Sequence, residues 1–288
     1  MRTMLSGLIA GLLAAAVPAA ASADASAMPN KHLRVCKDPN NMPFANTKGE
    51  GFEDRIAELF ARKLGVELEY FTFPQRLGFI RNTLRFKIPG QDYPCDIVMG
   101  VPAGWGQVAS TKPYYRSTYV MVFAPARSGL EAVSTEAEFL ALPAERLAQL
   151  KIGVFDRSPG SAWVARHGLV DAGVPYKTMN PNPDEYPGQI VERDLASGQI
   201  DVAVVWGPVG AWFAKRVTEP MLRVVPLESE IGVQFEYSMA MGVRRGEEAW
   251  KSEVERLIDE NRAEIAAILD DYGVPQLALE GTDAAAGR

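Results

Sequence analysis

CDIVMGVPAGWGQVASTKPYYRSTYVMVF, residues 95–123, is the stretch from which the fold class is read. It opens with a short apolar run, Ile97, Val98 and Met99, that ends at Gly100. A loop rich in Gly and Pro, VPAGWG, follows, then the polar segment TKPYYRST, then a second β-rich run over 119–123. Bounded apolar runs of this length, rich in Val and aromatics, read as buried strands. The stretch is therefore a strand, an exposed loop, a polar corner and a second strand. Open α/β sheets place their ligands outside the carboxyl ends of parallel strands. That makes VPAGWG and TKPYYRST the expected rim of a binding site.

The flanking sequence supplies the alternation such a sheet needs. LRVC, 33–36, predicts a first strand, and DPNN, 38–41, ends it, because Asp and Asn bond their own backbone and Pro fixes φ. GEGFEDRIAELFARKLG, 49–65, places Phe52, Ile56, Leu59, Phe60 and Leu64 on one helical face. Glu50, Glu53 and Asp54 suit the positive helix start, Arg62 and Lys63 the end, and Gly65 the stop. A strand over 66–73, a helix over 76–86 carrying Phe79, Ile80 and Leu84, and a polar loop over 87–94 lead into 95–123. This β-α-β-α-β order predicts a parallel sheet with right-handed crossovers.

A second series follows a modest helical pattern over 135–147. Strands are expected over 151–155, 175–179, 201–206 and 222–226, and helices over 162–167, 189–195 and 209–216. A strand over 236–245 and one long amphipathic helix over 247–269 complete the chain. The reading is an α/β protein of two lobes joined by a two-crossing hinge around a cleft. Residues 28–123 with 228–288 form lobe one and 124–227 form lobe two. The chain crosses near Phe123 and again over 227–238, where hinge closure would occur.

The 288 residues, 47% hydrophobic, suffice for two cores, and a net charge of −6 argues against a nucleic-acid partner. Arg2, the apolar run over 5–17 and the Ala-rich segment after it read as a secretory signal peptide spanning 1–27. That run is shorter than the ~20 apolar residues of a membrane span. Export to the periplasm sets how Cys36 and Cys95, the only two cysteines, are read: an even pair in an oxidising compartment is most simply one disulfide. It would close a loop of roughly 60 residues, worth about 4 kcal/mol in the chain-entropy model. His32 and His167 are too few to complete a metal site with them. No Ser/His/Asp grouping, phosphate-binding GxxxxGK[ST] or carboxylate pair in apolar surroundings stands out, so no enzyme activity is expected.

The strand-and-loop words Met42-Pro43-Phe44, GFEDRIAELFARKLG, CDIVMG, TKPYYRSTYVMVF and KIGVFDRSPGS resemble those of type II periplasmic binding proteins. More narrowly, RVCKDPNNMPFANTKGEGFEDRIAELFARKLG, 34–65, and 95–123 resemble the methanol-dehydrogenase-associated MxaJ/XoxJ family. The resemblance covers most of 33–275. It implies the type II periplasmic binding protein fold and a non-enzymatic role in activating or assembling a periplasmic alcohol dehydrogenase that depends on pyrroloquinoline quinone (PQQ). The wording DYPCDIVMGVP, 92–102, leans toward the lanthanide-type rather than the calcium-type system. The implied partners are the quinoprotein dehydrogenase subunit and its cytochrome c. No cofactor is assigned to the chain itself, PQQ and lanthanide being handled by the partner. The alternative is a solute-binding receptor of an ABC-type importer for a small organic anion or metal chelate.

A site of this class draws on loops of both lobes. Lobe one offers Asn40, Asn41, Phe44, Glu50, Arg76, the backbone after Gly100, Trp105, Arg116 and Ser117. Lobe two offers Ser158, Gly160 and Ser161, ahead of a helix start that favours anions, with Trp206 and Gly207. Arg116 suits a bidentate contact with a carboxylate or phosphate, and Phe44, Trp105 and Trp206 an apolar wall. Amino-acid-binding members pair an Arg of lobe one with an Asp of lobe two. Here Arg116 is offset from that pattern and Asp201 opens a strand, which argues against an amino acid as ligand.

Overall fold

The computed structural model describes residues 31–75, 78–178, 182 and 184–279. The leader, Arg76 and Met179 lie outside the described residues. The first lobe begins with β1 (Leu33–Lys37), a small hairpin of β2 (Asn40–Asn41) and β3 (Ala45–Asn46), then α1 (Phe52–Leu64) and β4 (Leu68–Thr72). It continues through α2 (Phe79–Asn82), β5 (Ile97–Pro102) and β6 (Ala109–Ser117). The second lobe holds β7 (Tyr119–Phe123), α3 (Pro125–Ser128), α4 (Glu136–Leu140), α5 (Ala144–Leu147), β8 (Ile152–Phe155) and α6 (Pro159–Arg166). β9 (Gly173–Tyr176), β10 (Val202–Trp206), α7 (Gly207–Arg216) and β11 (Arg223–Pro226) follow. β12 (Tyr237–Val243), α8 (Glu248–Glu260) and α9 (Arg262–Asp271) return to the first lobe.

Each lobe is one five-stranded mixed sheet. The first runs β4-β1-β5-β12-β6, with β4, β1 and β5 parallel and β12 antiparallel to both its neighbours. The second runs β11-β7-β10-β8-β9, with β10, β8 and β9 parallel and β7 antiparallel. α1 buries Phe52, Ile56, Leu59 and Phe60 against Val35 and Ile97, and α8 adds Trp250, Leu257 and Ile258 to the same core. At ~1.5–3 kcal/mol for each fully buried large apolar side chain, such a cluster supplies most of the lobe's cohesion. The second lobe has a core on each sheet face, one around Phe139, Val154 and Trp163, the other around Leu195, Val205 and Phe213. Cys36 and Cys95 are bonded to each other, with Cα atoms 5.3 Å apart, beside Phe79, Ile80 and Leu84.

Several expected boundaries move, each for a local reason. β5 does not stop at Gly100 but runs on to Pro102, paired with Met239 of β12. TKPYYRST is no corner: it lies within and just beyond β6, where Tyr114 and Tyr115 are both buried. A bulge between the pairs at Met239 and Ala240 lets two successive residues turn inward, which hides the strand from a period of two. Tyr119–Phe123 pairs with β10 and β11, so the first crossing between sheets lies at Thr118 rather than after Phe123. The helix expected over 76–86 is α2, only Phe79–Asn82 among the described residues. The pattern over 135–147 is two short helices with Pro143 between them. The helix expected over 247–269 is two, because the Asn261 side-chain amide bonds the Leu257 carbonyl at 2.8 Å and competes with the helical backbone. The strand expected over 175–179 is β9, shifted back to Gly173–Tyr176.

The two crossings are tied to each other. Thr118, buried, donates its hydroxyl to the Leu227 carbonyl at 2.5 Å, and its own carbonyl accepts from Gly207 N at 2.9 Å. Leu227 N donates to Tyr119 O at 2.9 Å.

Candidate binding cleft

A cavity of about 450 Å³ lies between the lobes, within the range of small-ligand sites. Its walls are the carboxyl ends of parallel strands and the segments after them: 38–41 after β1, Gly100 and Pro102 of β5, Phe155 and Ser158 around the end of β8, Tyr176 to Thr178 after β9, and Val205 and Trp206 of β10. This is where open α/β sheets leave an unfilled crevice.

Of the residues expected from sequence, Asn40, Asn41, Phe44, Gly100, Ser158 and Trp206 line the cavity. The lining is in part committed to the protein's own structure. Asp38 accepts from Asn40 N at 2.8 Å and Gln75 N at 2.5 Å, and Asn41 donates to the Gln75 side chain at 2.8 Å. Ser158 caps α6: its hydroxyl accepts from Ser161 N at 3.3 Å, while Ser161 donates back to the Ser158 carbonyl at 2.8 Å.

Glu50, Trp105, Arg116, Ser117, Gly160, Ser161 and Gly207 are not part of the lining, and Arg76 lies outside the described residues. Glu50 accepts from the Asn46 side chain at 2.8 Å. Trp105 packs with Val101 and Val108 beside the disulfide. Arg116 is ion-paired with Glu236, the residue before β12, at 3.0 Å. Ser117 is wholly buried. A Cβ on Gly160 would lie 3.1 Å from the Val204 carbonyl, and one on Gly207 only 2.2 Å from the Thr118 carbonyl. Both glycines serve helix-on-strand packing.

The walls carry six rings: Phe44, Tyr119, Phe155, Tyr176, Tyr186 and Trp206. They are held by one another, Tyr119 against Trp206 at 5.5 Å and Phe155 against Tyr176 at 6.0 Å between ring centroids. On the lobe-two wall, a π-helix over Ile190–Leu195 presents Ile190 and Arg193 to the cavity, and Gln189 precedes it as the N-cap. Such i→i+5 turns are uncommon and concentrate at functional sites. Arg193 is clamped by its buried neighbour Asp194, with Nε–Oδ1 at 2.6 Å and Nη2–Oδ2 at 3.2 Å. The Arg193 bond holds the Asp194 carboxyl below its usual range, and the Tyr176 hydroxyl donates to the same carboxylate at 2.8 Å.

The lobe-one wall contains a residue that sequence reasoning took only for a helix-start acid. Glu53, in the first turn of α1, reaches the floor of the cavity. Burial, and then the neighbouring Asp54 charge, raise its pKa to about 8. Its Oε1 occupies the place where a Cβ on Gly100 would stand, 2.1 Å from that position, so the glycine is what admits the carboxyl. Behind it lie the buried hydroxyls of Tyr114 and Tyr115, both pushed well above their usual range by burial. Asp54 has the opposite fate: it accepts from Lys37 Nζ at 2.8 Å and from Gly51 N at 3.0 Å. The sequence expectation concerned a carboxylate pair in apolar surroundings; Glu53 is a single carboxyl in such surroundings, which that expectation passed over. Its signal was faint, a Gly inside a strand that leaves room for a side chain from elsewhere. Phe155, Tyr176 and Met239 were likewise missed; the first two sit at the carboxyl ends of parallel strands, a position readable from sequence.

Among the described residues no helix is long and apolar enough to cross a membrane, and no three His, Cys, Asp or Glu side chains group as a metal site. No protein-family model matches the chain. It is 26% identical to Protein MoxJ of Paracoccus denitrificans over 85% of this chain and 89% of that one. Among solved structures it is similar to the periplasmic binding protein XoxJ from Methylobacterium extorquens AM1, 34% identical, TM-score 0.64, over 86% of this chain and all of the other. MxaJ from Methlophaga aminisulfidivorans MPT is 25% identical, TM-score 0.68, over 85% of this chain and 100% of that one. With its two lobes and interlobe cleft, the chain has the type II periplasmic binding protein fold and belongs to the XoxJ/MxaJ family of periplasmic binding proteins.

Proposed function

We propose that the protein is a non-enzymatic accessory of a periplasmic PQQ-dependent alcohol dehydrogenase. In this reading it binds the immature dehydrogenase subunit through the cleft and its rim and holds it open for cofactor or metal entry. The observation that carries it is the cleft itself. Its walls carry six aromatic rings among aliphatic and proline side chains, and polar groups such as Asp38 and Arg193 are bonded within their own walls, which leaves chiefly apolar surface for a partner segment. Family membership supports the dehydrogenase as that partner, and the higher identity to XoxJ than to MxaJ supports the lanthanide-type system. The dehydrogenase's cytochrome c is a further partner on this reading. Residues 1–27 act as the export signal that delivers the chain to the periplasm.

Co-purification from periplasm with tagged protein is expected to recover the dehydrogenase subunit, and a deletion strain is expected to lose methanol oxidation. Absence of the subunit from the capture together with normal oxidation would sink the reading. The volume of about 450 Å³ also suits a small solute, which favours an importer receptor as the second reading. A thermal-shift screen of organic anions, PQQ and lanthanide chelates separates the two. A receptor gains ~2.7 kcal/mol from its ligand at a hundredfold excess over Kd, whereas the accessory is expected to gain nothing comparable.

A further inference from the structure

Among the described residues of the cleft, the Glu53 carboxyl is a group in apolar surroundings that the cleft's own walls leave without a bonding partner. The Glu53 carboxyl makes no hydrogen bond or ion pair with any described residue, although it lines the cavity beside Gly100. Phe44 is next to it, its carbonyl accepting from Glu53 N at 2.9 Å. Trp206 lines the same cavity, its indole near the Tyr115 hydroxyl, which is buried without a hydrogen-bond partner. A half-buried carboxyl with no partner is costly to ionise. A cation arriving in the cavity would supply the missing partner, and ring faces add cation–π attraction to it.

We propose that Glu53, with Phe44 and Trp206, is the anchor of the cleft for an organic cation: the ammonium or guanidinium that ends a basic side chain of the bound segment. This rests on the cleft being the binding site. The ammonium meets the carboxylate over Gly100, where no side chain intervenes, and its alkyl stem lies along the rings. The rest of the neighbourhood does not compete for the role. Asp54 of the same helix is taken by Lys37 of β1, and Tyr70 of β4 places its hydroxyl 3.5 Å from the Asp54 carbonyl. Tyr114 and Tyr115 of β6 face Glu53 as neutral phenols, and Tyr272 after α9 donates at 2.5 Å to the Glu50 carbonyl. Asp38, at the rim, is bonded to backbone N–H groups.

The test uses the full mature chain and two capped tripeptides, one with lysine between two leucines and one with norleucine in its place. Calorimetry at pH 7 is expected to show the lysine peptide binding at least tenfold more tightly. Because the ammonium binds the ionised carboxyl, its affinity should rise about tenfold per pH unit below pH 7.5 and level off above pH 8. Release of nearly one proton per peptide should appear as a dependence on buffer ionisation enthalpy. Glu53→Gln is expected to abolish the preference and the pH dependence. Gly100→Ala, whose new Cβ displaces the carboxyl, should weaken lysine binding while melting shows both variants folded. Equal or absent binding of the two peptides, or affinity that falls with rising pH, overturns the inference. If dehydrogenase capture persists in that case, the accessory role stands without it. If the lysine preference holds but the dehydrogenase is never captured, only the accessory role is lost.

Discussion

Glu53 and Asp54 are adjacent carboxylates with divergent environments. One turn of helix points Asp54 at Lys37 and Glu53 at the cleft, and the two directions decide their chemistry. The folded state holds the Glu53 proton to about pH 8, whereas an unfolded glutamate releases it near 4.5. Between those values the native state binds the extra proton, so stability falls as pH rises through that window. Glu53→Gln removes the dependence. Chemical denaturation is expected to show the variant and the parent with similar stability near pH 4.5 and the variant more stable at pH 8.5, by on the order of a few kcal/mol at most. A parent more stable than the variant at pH 8.5 would mean that Glu53 is ionised and satisfied in the fold. The helix-start acid was visible in the sequence. Its burial was not, because that depends on Gly100, distant in sequence and adjacent only across the sheet.

At the scale of elements, the crossing between sheets is a tight joint. α7 opens on Gly207 where the carbonyl of Thr118, the residue between β6 and β7, occupies the space in which any side chain would stand. Gly207→Ala puts a Cβ 2.2 Å from that backbone atom, which cannot rotate aside. The variant is expected to lose about 1–3 kcal/mol in urea denaturation. Retained stability would show that α7 can slide along β7. The sequence exposed the break at Gly207 and Pro208 but could not say what it avoids. It exposed α1 fully, because a 13-residue helix with a regular apolar face needs no distant partner to be recognised. It hid β6, because the bulge opposite Met239 and Ala240 breaks the period by which a strand is read.

For the whole molecule, the disulfide and the paired crossings divide the labour of cohesion. Cys36 and Cys95 staple β1 to the start of β5 within lobe one, across a sequence separation of 59 residues. A chain-entropy estimate for closing that loop is about 4 kcal/mol. Reduction, or the double substitution Cys36→Ala and Cys95→Ala, should therefore lower denaturant stability by roughly 2–4 kcal/mol. An unchanged midpoint would mean that the buried cluster around Phe79 and Ile80 already holds the two strands. Lobe two contains no cysteine and should keep its melting transition if the lobes unfold separately.

The sequence alone determined the alternation of strands and helices, the pairing of the only two cysteines, and the family resemblance that two long words carry. Those depend on local periodicity, turn chemistry and counting. Only the tertiary structure decided that Tyr119–Phe123 belongs to the second sheet, that Arg116 is paired with Glu236, and that Glu53 faces a cleft of aromatic rings. Each of those turns on which groups meet across distances of tens to more than a hundred residues. Residues 95–123 remain central to the cleft, but through Gly100, Tyr119 and, of the loop that first suggested it, Pro102. A glycine with room for another residue's carboxyl is meaningful only once that residue is beside it.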